Sequence, residues 1–197
     1  MNTFKKRMAL LMVIVTLSTV AGGALAADYF DFGGYGGTGN YAPGRSYVIG
    51  EAKVLEKLYT RTGPSTRYEE GGSANMVGQK VKVYGWQPDE NGVRWIIVDI
   101  RVGGKLRRVY TKSMYLDMGK IANQVYSAYE ADKYYEASCT VMQDIRPKYG
   151  PGTEYETHSR MLRAGTKGVC LYDENGYCLV DYGTIRVWVP DNALNFF

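Results

Sequence analysis

The residues that could perform chemistry in this chain are one histidine, three cysteines and a few adjacent carboxylates. His158 lies in a predicted loop and lacks the second histidine that a His-Glu-x-x-His metal helix requires. A Cys-His pair with Cys170 or Cys178 would combine a nucleophile with a base, but both cysteines lie in strand-like apolar segments, whereas a catalytic thiolate typically begins a helix. The carboxylate pairs Asp89-Glu90 and Asp173-Glu174 fall in turns, where aspartate serves the backbone. We therefore expect no catalytic residue, no metal, no cofactor and no enzymatic activity.

The three cysteines, Cys139, Cys170 and Cys178, are an odd number, so at least one has no disulfide partner within the chain. Cys170 and Cys178 flank a predicted hairpin turn. Two interpretations stay open: a disulfide between two of the three, or three buried thiols that act as small hydrophobic side chains. With a single histidine in the chain, a zinc site on these cysteines has little support.

Aromatic side chains are abundant: the chain has 18 tyrosines and three tryptophans. Tyrosine combines a broad, rigid contact area with a polar tip, so it suits a binding surface. Trp95 lies three residues before Val98, and Tyr177 three before Val180, so each ring is on the strand face opposite its valine. If the valines are core, these rings point into an outer groove; the alternative is that they close the ends of two undersized cores. The candidate ligand-binding residues are Trp95, Tyr177, Tyr110, Trp188, Tyr68 and Tyr155.

Sequence motifs recur in the same order along the chain, which indicates two divergent copies of one module. These copies must position the aromatic residues. The offset between copies falls in steps from 87 to 84, 82 and 78 residues. Most changes in offset fall at turn-like positions. The one change inside a strand is two residues long, so every side chain keeps its original face of the strand. The matched segments are Gly63–Glu69 with Gly150–Glu156, Asp89–Gly92 with Asp173–Gly176, Val98–Asp99 with Val180–Asp181, and Arg108–Tyr110 with Arg186–Trp188.

Each copy is predicted to consist of short strands joined by tight turns. In the first copy, Lys80–Val83 alternates, Asp89–Gly92 provides a hairpin turn and Trp95–Val102 forms the next strand. Such a set of strands suggests a small closed barrel, which hides its edges. We expect an all-β protein with two barrels, at residues 50–117 and 138–197, joined by a linker at 118–137 that could include a short helix.

The first 26 residues have the pattern of a cleavable export signal. Lys5, Lys6 and Arg7 precede the apolar run Met8–Val20, and Ala24-Leu25-Ala26 predicts cleavage between Ala26 and Ala27. The alternative is an uncleaved membrane anchor, since this stretch nearly spans a bilayer of about 30 Å. No second apolar run of that length follows, so we expect no stable membrane span after cleavage.

Cleavage also changes the charge of the protein. Three of the 24 basic residues lie in the signal, which leaves 21 against 20 acidic residues in the mature chain. That balance does not favour nucleic-acid binding, which needs a clustered basic face. Residues 27–49 are rich in glycine and tyrosine and are predicted to be a flexible spacer, or alternatively an aromatic segment that touches a partner.

The two copies resemble bacterial Src-homology-3 (SH3b-type) domains. Thr60–Thr66 looks like the family's Arg-Ser/Thr-Gly-Pro-Ser-Thr start, and Trp95–Val98 resembles its later Trp-x-x-Val strand. Arg108–Thr111 and Tyr115-Leu116 stand where the family has Gly-Trp-Val and a closing Tyr-Leu. The second copy matches through Tyr149–Thr153, Tyr177–Val180, Val187–Val189 and Ala193-Leu194, with Tyr177 in place of the tryptophan.

This resemblance implies an exported, non-enzymatic binding protein, secreted or associated with the cell wall. The aromatic grooves of the two barrels would recognise peptidoglycan, with avidity from their tether. The alternative is a protein–protein interaction scaffold of the envelope that binds an extended or Pro-rich peptide. Because the copies differ at Trp95/Tyr177 and Tyr110/Trp188, we expect them to play unequal binding roles.

Overall fold

The computed structural model describes residues 47–197 and consists mostly of β-structure. The predicted signal at 1–26, its cleavage site between Ala26 and Ala27, and most of the glycine- and tyrosine-rich segment lie outside the described residues. The expected all-β class is confirmed, because the described strands form two antiparallel sheets. None of the helices between Tyr47 and Phe197 has the length and apolar character that crossing a bilayer requires.

The first sheet contains seven strands and curls into a half-barrel. They are β1 (Gly50–Val54), β2 (Leu58–Arg61), β3 (Glu70–Ala74), β4 (Lys80–Pro88), β5 (Arg94–Val102), β6 (Lys105–Lys112) and β7 (Leu116–Asp117). Neighbouring strands hydrogen-bond in the order β3-β2-β6-β5-β4-β1-β7. Its concave side buries an apolar cluster around Ile96, Val98 and Ile100 of β5.

A linker connects this sheet to the second one. It contains a 3-10 turn (Gly119–Ile121), the helix α1 (Ala122–Ser127) and a second 3-10 turn (Glu130–Lys133). Val125 of α1 is fully buried in the apolar cluster of the first sheet, and Ile121, Ala122 and Tyr126 pack against it. The helix therefore covers one end of the half-barrel, where its apolar face finds the burial that a six-residue helix needs to be stable.

The second sheet repeats the pairing order of the first. Its strands are β8 (Ala137–Val141), β9 (Lys167–Glu174), β10 (Tyr177–Asp181), β11 (Arg186–Pro190) and β12 (Leu194–Phe196), in the order β11-β10-β9-β8-β12. This order matches β6-β5-β4-β1-β7, strand for strand. In place of β2 and β3 there are isolated bridges between Ile145 and Leu162 and between Lys148 and Thr157. We call residues 50–117 repeat one and residues 138–197 repeat two.

The hairpin turns explain part of the length difference between the repeats. In repeat two, Asn175 and Gly176 both have positive φ, 53° and 76°, and form a two-residue turn between β9 and β10. In repeat one the ladder ends at the pair Pro88–Arg94, so the connecting loop is longer. Asp89 holds this loop, because its Oδ1 accepts hydrogen bonds from the backbone N–H groups of Asn91 and Val93, each at 2.9 Å.

This longer loop changes which residues correspond between the repeats. Gln87 pairs with Trp95 in the first sheet, and Glu174 pairs with Tyr177 in the second. Since Trp95 and Tyr177 are counterparts, Gln87 is the structural counterpart of Glu174, although the sequence motif aligns Glu174 with Glu90. The extra residues of repeat one therefore lie in the loop after Pro88 and not before it.

Both sheets bury their second face as well. On the face opposite Val98, the side chains of Tyr84, Trp95, Ile97 and Tyr110 form a separate cluster in repeat one. Its equivalent in repeat two is formed by Leu171, Tyr172, Leu179 and Trp188. We call these two clusters the outer faces, and they include three of the residues that the sequence nominated for ligand binding, Trp95, Tyr110 and Trp188.

Candidate functional site

The outer faces of the two repeats face each other across a water-sized cavity. Ile97 and Tyr110 line it from repeat one, and their counterparts Leu179 and Trp188 line it from repeat two. The sequence left open whether these aromatic residues line exposed grooves or close small cores, and neither alternative placed the two repeats against each other.

Five of the six nominated aromatic residues are buried, and this corrects the expectation of an accessible groove. The strand faces are as predicted, but Trp95 is covered within repeat one: its Nε1–H donates to Asp89 Oδ2 at 3.1 Å, and Lys112 lies over its ring. Tyr177 is half-buried and packs at the margin of the outer face of repeat two. The exposed fractions are 1% for Tyr68, 2% for Trp95, 3% for Trp188, 4% for Tyr110 and 5% for Tyr155.

Two of these tyrosines make equivalent hydrogen bonds across the contact. The Tyr68 hydroxyl of repeat one donates to Asp181 Oδ2 of repeat two at 2.8 Å. The Tyr155 hydroxyl of repeat two donates to Asp99 Oδ2 of repeat one at 3.0 Å. Because Tyr68 corresponds to Tyr155 and Asp99 to Asp181, the contact has approximate two-fold symmetry.

Backbone hydrogen bonds follow the same symmetry. The Glu69 N–H donates to the Thr184 carbonyl at 2.8 Å, and the Glu156 N–H donates to the Leu106 carbonyl at 2.9 Å. The residues in each role correspond through the repeat. The recurring Gly-Pro motif positions both tyrosines, because a Cβ at Gly63 or Gly150 would lie closer than 3.0 Å to the ring of Tyr68 or Tyr155.

A buried arginine from each repeat occupies the centre of the contact. In repeat one this is Arg108, whose guanidinium contacts Asp99 Oδ1 at 3.1 Å, Glu174 Oε1 at 3.0 Å and the Tyr155 hydroxyl at 2.5 Å. Burial alone would lower the pKa of Arg108, but the carboxylates of Glu174 and Asp99 outweigh it and raise the pKa well above its usual value. Arg108 is therefore a permanent buried cation that joins a carboxylate of each repeat.

Arg186 has the same role in repeat two. Its Nε contacts Asp181 Oδ2 at 2.8 Å, and its Nη1 donates to Gln87 Oε1 at 2.7 Å and to the Tyr134 hydroxyl at 2.9 Å. Since Gln87 is the counterpart of Glu174, the Arg186–Gln87 bond repeats the Arg108–Glu174 ion pair with a neutral acceptor. The two arginines thus share an aspartate of their own repeat and an acceptor from the other repeat, but Arg108 also bonds Tyr155 of repeat two whereas Arg186 also bonds Tyr134 of the linker.

A buried carboxylate from the linker completes the contact. Glu130 is 1% exposed and accepts hydrogen bonds from the hydroxyls of Tyr110 at 2.6 Å, Tyr134 at 3.2 Å and Tyr172 at 3.2 Å. Burial, and then the Glu130 charge, raise the pKa values of all three tyrosines well above the usual range, so their hydroxyls remain donors. Glu130 therefore ties the linker to Tyr110 of repeat one and Tyr172 of repeat two.

Sequence reasoning missed the charged residues of this contact. The signal was present, since Asp99 recurs as Asp181 and Arg108 recurs as Arg186 beside the aromatic positions. A charge kept at the same strand position in both copies indicates a buried pair more strongly than a solvent-exposed one, because buried ions need fixed partners. Glu130 has no counterpart in a second copy, so nothing in the sequence distinguished it.

The single histidine is a packed, neutral side chain. His158 Nδ1 accepts a hydrogen bond from the Arg160 backbone N–H at 3.0 Å, and its ring packs on Tyr149 at a centroid distance of 4.6 Å. Its Nε2 lies 3.8 Å from the Glu69 carboxylate of repeat one. Burial, followed by Arg160 and Arg107, lowers the pKa of His158 to about 4. These contacts connect it with the other repeat rather than with a cysteine.

All three cysteines are buried free thiols in the core of repeat two. The Cys170 Sγ lies 3.0 Å from the Tyr135 hydroxyl. Burial, and then Cys170, raise the pKa of Cys139 to about 11, which keeps it a thiol at neutral pH. Of the two interpretations of the cysteines, the structure has the buried thiols, and no group of His, Cys, Asp and Glu among residues 47–197 could hold a metal ion.

A different aromatic group remains accessible at the end of repeat one. Arg94, the first residue of β5, is exposed, and its guanidinium carbon lies 4.4 Å from the ring centroid of Tyr126 and 5.5 Å from that of Trp86. Both rings are only half-buried. Repeat two has Gly176 and Asp173 at the positions that correspond to Arg94 and Trp86, so this stacked group belongs to repeat one alone. We call Arg94, Trp86 and Tyr126 the stacked rim.

The sequence matches no protein-family model and no curated protein.

Proposed function

We propose that this chain is a non-enzymatic, exported binding protein of the bacterial envelope, built from two SH3-like barrels that act as one rigid unit. Its support is the export signal pattern, the recurring SH3b-like motifs and the matching strand order of the two sheets. All three thiols are buried in the core of repeat two, and His158 contacts Tyr149, Arg160 and Glu69 rather than a cysteine, which supports a binding role over a catalytic one.

The observation that carries this proposal is the difference between the buried and the accessible aromatic residues. The two outer faces cover each other. The repeats therefore form one unit and do not present two separate aromatic grooves joined by a linker. The stacked rim of repeat one stays accessible and has no equivalent in repeat two. Binding then takes place on repeat one, while repeat two stabilises it through the buried contact.

Peptidoglycan is the partner that the family resemblance favours, and a sedimentation assay tests it. The chain from Ala27 onward is mixed with purified cell walls that have been stripped of protein, and the walls are spun down. We expect the chain to sediment with the walls and an unrelated protein of similar size to stay in solution. Complete recovery of the chain in the supernatant would eliminate wall binding.

A protein partner is the second candidate, and an exposed apolar group on repeat one favours it. Leu55, Val77 and Met114 are 48%, 56% and 68% exposed. Hydrogen bonds from Leu55 N to the Tyr115 carbonyl and from Gly78 N to the Val54 carbonyl bring the three side chains to the same end of β1. The equivalent positions of repeat two are Met142, Ala164 and Asn192, of which only Met142, 54% exposed, is a large apolar side chain.

This second candidate predicts binding that needs protein rather than stripped walls. Immobilised chain would retain a specific protein from an envelope extract, and a Leu55→Asp/Met114→Asp variant would lose that protein. Val169, exposed on β9 of repeat two, offers the control substitution Val169→Asp. Equal retention by the apolar-patch variant and the parent would exclude this surface.

A further inference from the structure

Arg94 differs from every other arginine in the described part of the chain. Residues 47–197 contain ten arginines, and nine of them make a side-chain hydrogen bond or an ion pair. Arg94 makes neither among these residues, and its only side-chain interactions are with the Trp86 and Tyr126 rings. Its five N–H donors are therefore available to a ligand.

The rings that hold this guanidinium are themselves fixed. The Trp86 Nε1–H donates to the Tyr126 carbonyl at 3.0 Å, and the two rings meet edge to face at a centroid distance of 6.1 Å. Trp86 also packs against Tyr129 at 5.4 Å. The hydrogen bond joins β4 to α1, and the helix is anchored in the core through Val125. The guanidinium thus stacks on a rigid surface, which reduces the side-chain entropy that binding would otherwise cost.

A guanidinium in this state has one preferred kind of ligand. Its face is covered by aromatic rings, and its edge presents parallel N–H groups whose geometry matches a carboxylate. The half-buried rings offer an apolar surface next to that edge. We propose that the stacked rim binds the free carboxylate of a ligand whose adjoining apolar part lies against Trp86 and Tyr126. This inference rests on the proposed binding function and assigns it a ligand chemistry.

Two sources could supply such a carboxylate: the end of a peptide or the acid group of a sugar. The test uses the 15N-labelled chain from Ala27 onward, titrated separately with N-acetyl-alanyl-alanine, its C-terminal amide and N-acetylmuramic acid. The signals to follow are the Arg94 Nε–H and the Trp86 indole N–H. We expect saturable shifts with at least one acid, with a dissociation constant on the order of 1–10 mM because one exposed ion pair contributes little affinity. The acid that binds identifies the source.

Variants separate a ligand contact from simple packing. We expect Arg94→Gln to weaken acid binding about tenfold, the change that loss of one charge-assisted hydrogen bond produces. Arg94→Lys keeps the charge without the planar fork and should bind with intermediate affinity. Arg101→Gln, which changes another exposed arginine on the same strand, should bind as the parent does. Thermal unfolding of each variant checks that the fold is intact.

The proposal is overturned if neither acid shifts the Arg94 signal, or if the amide shifts it as much as the acid. It is also overturned if Arg94→Gln and Arg101→Gln bind equally well. Sedimentation with stripped cell walls distinguishes this failure from failure of the proposed function. If Arg94→Gln still sediments like the parent, wall binding stands and only the stacked rim is excluded.

Discussion

Replacing Arg108 by methionine tests the buried contact between the repeats most directly. Methionine fills much of the aliphatic volume of arginine and removes the guanidinium. The side chains of Asp99 and Glu174, which Arg108 contacts at 3.1 and 3.0 Å, are only 8% and 9% exposed. Water therefore reaches them poorly, and each loses its buried positive partner.

The magnitude follows from what remains on the two carboxylates. Asp99 keeps two hydroxyl donors, from Tyr84 at 2.6 Å and Tyr155 at 3.0 Å, whereas Glu174 loses its cation. Removal of one member of a buried ion pair costs about 3–5 kcal/mol. We expect a loss of about 3 kcal/mol in the free energy of unfolding, near the lower end, because the donors on Asp99 compensate in part.

Urea unfolding followed by tryptophan fluorescence measures this loss, since Trp95 and Trp188 lie in the two outer faces. A second change, Glu174→Leu, removes the buried carboxylate that has lost Arg108, so the double variant should be more stable than Arg108→Met by at least about 1 kcal/mol. Arg101→Met, at an exposed position of the same strand, should stay within about 0.5 kcal/mol of the parent. A loss below about 1 kcal/mol for Arg108→Met would refute the assignment of this network as a stabilising contact.

Three further predictions test other parts of the structure. Tyr68→Phe and Tyr155→Phe each remove a hydroxyl that donates to a carboxylate of the other repeat, so each should lower the free energy of urea unfolding by about 1–3 kcal/mol; an effect in only one of them would contradict the two-fold symmetry. Because the pKa of His158 is about 4 in the folded chain and about 6.5 when unfolded, the unfolded chain takes up the proton first. The His158 contribution to stability should therefore be constant above pH 6.5 and fall by up to about 3 kcal/mol between there and pH 4. His158→Asn, which keeps an acceptor for the Arg160 N–H, should flatten this part of the profile, and an unchanged slope would show that other groups cause it. The buried cysteines should all resist a thiol reagent in the native chain and all three react after unfolding without reductant; a single reactive thiol would instead reveal a disulfide.

Local patterns predicted the strand faces correctly but not what covers them. The spacing of Trp95 and Val98 places the two side chains on opposite faces, as the structure has them. Whether an aromatic outer face meets solvent or another sheet depends on tertiary contact, which alternation along a strand does not report. Glu130 shows the same limit, because two of the three tyrosines that bond it, Tyr110 and Tyr172, come from the two different repeats.

Sequence similarity also misassigned one correspondence between the repeats. The Asp-Glu-Asn-Gly motif occurs in both, but it forms a two-residue turn only in repeat two, while in repeat one Asp89 caps a longer loop. Turn sequences recur because glycine and asparagine adopt positive φ readily. Two similar turn sequences therefore do not imply that the flanking strands pair in the same register. Only the pairing register identifies Gln87 as the counterpart of Glu174.

The buried charges also explain how the repeats find one orientation. Apolar side chains such as Ile97 and Leu179 attract without direction and would tolerate several registers. The buried polar groups tolerate only one register, because Tyr68 must reach Asp181 at the same time as Tyr155 reaches Asp99. A one-residue slip would leave buried guanidinium and carboxylate groups unpaired, at a cost of several kcal/mol for each broken pair.

The same complementarity would let repeats of two different chains pair, so something must favour pairing within one chain. The linker at residues 118–137 holds each repeat near its partner at an effective concentration on the order of millimolar. Glu130 adds hydrogen bonds to Tyr110 of repeat one and Tyr172 of repeat two, which form only when the linker lies between the two outer faces. The pairing is therefore encoded twice, in the repeated charges of the modules and in a single carboxylate of the segment that joins them.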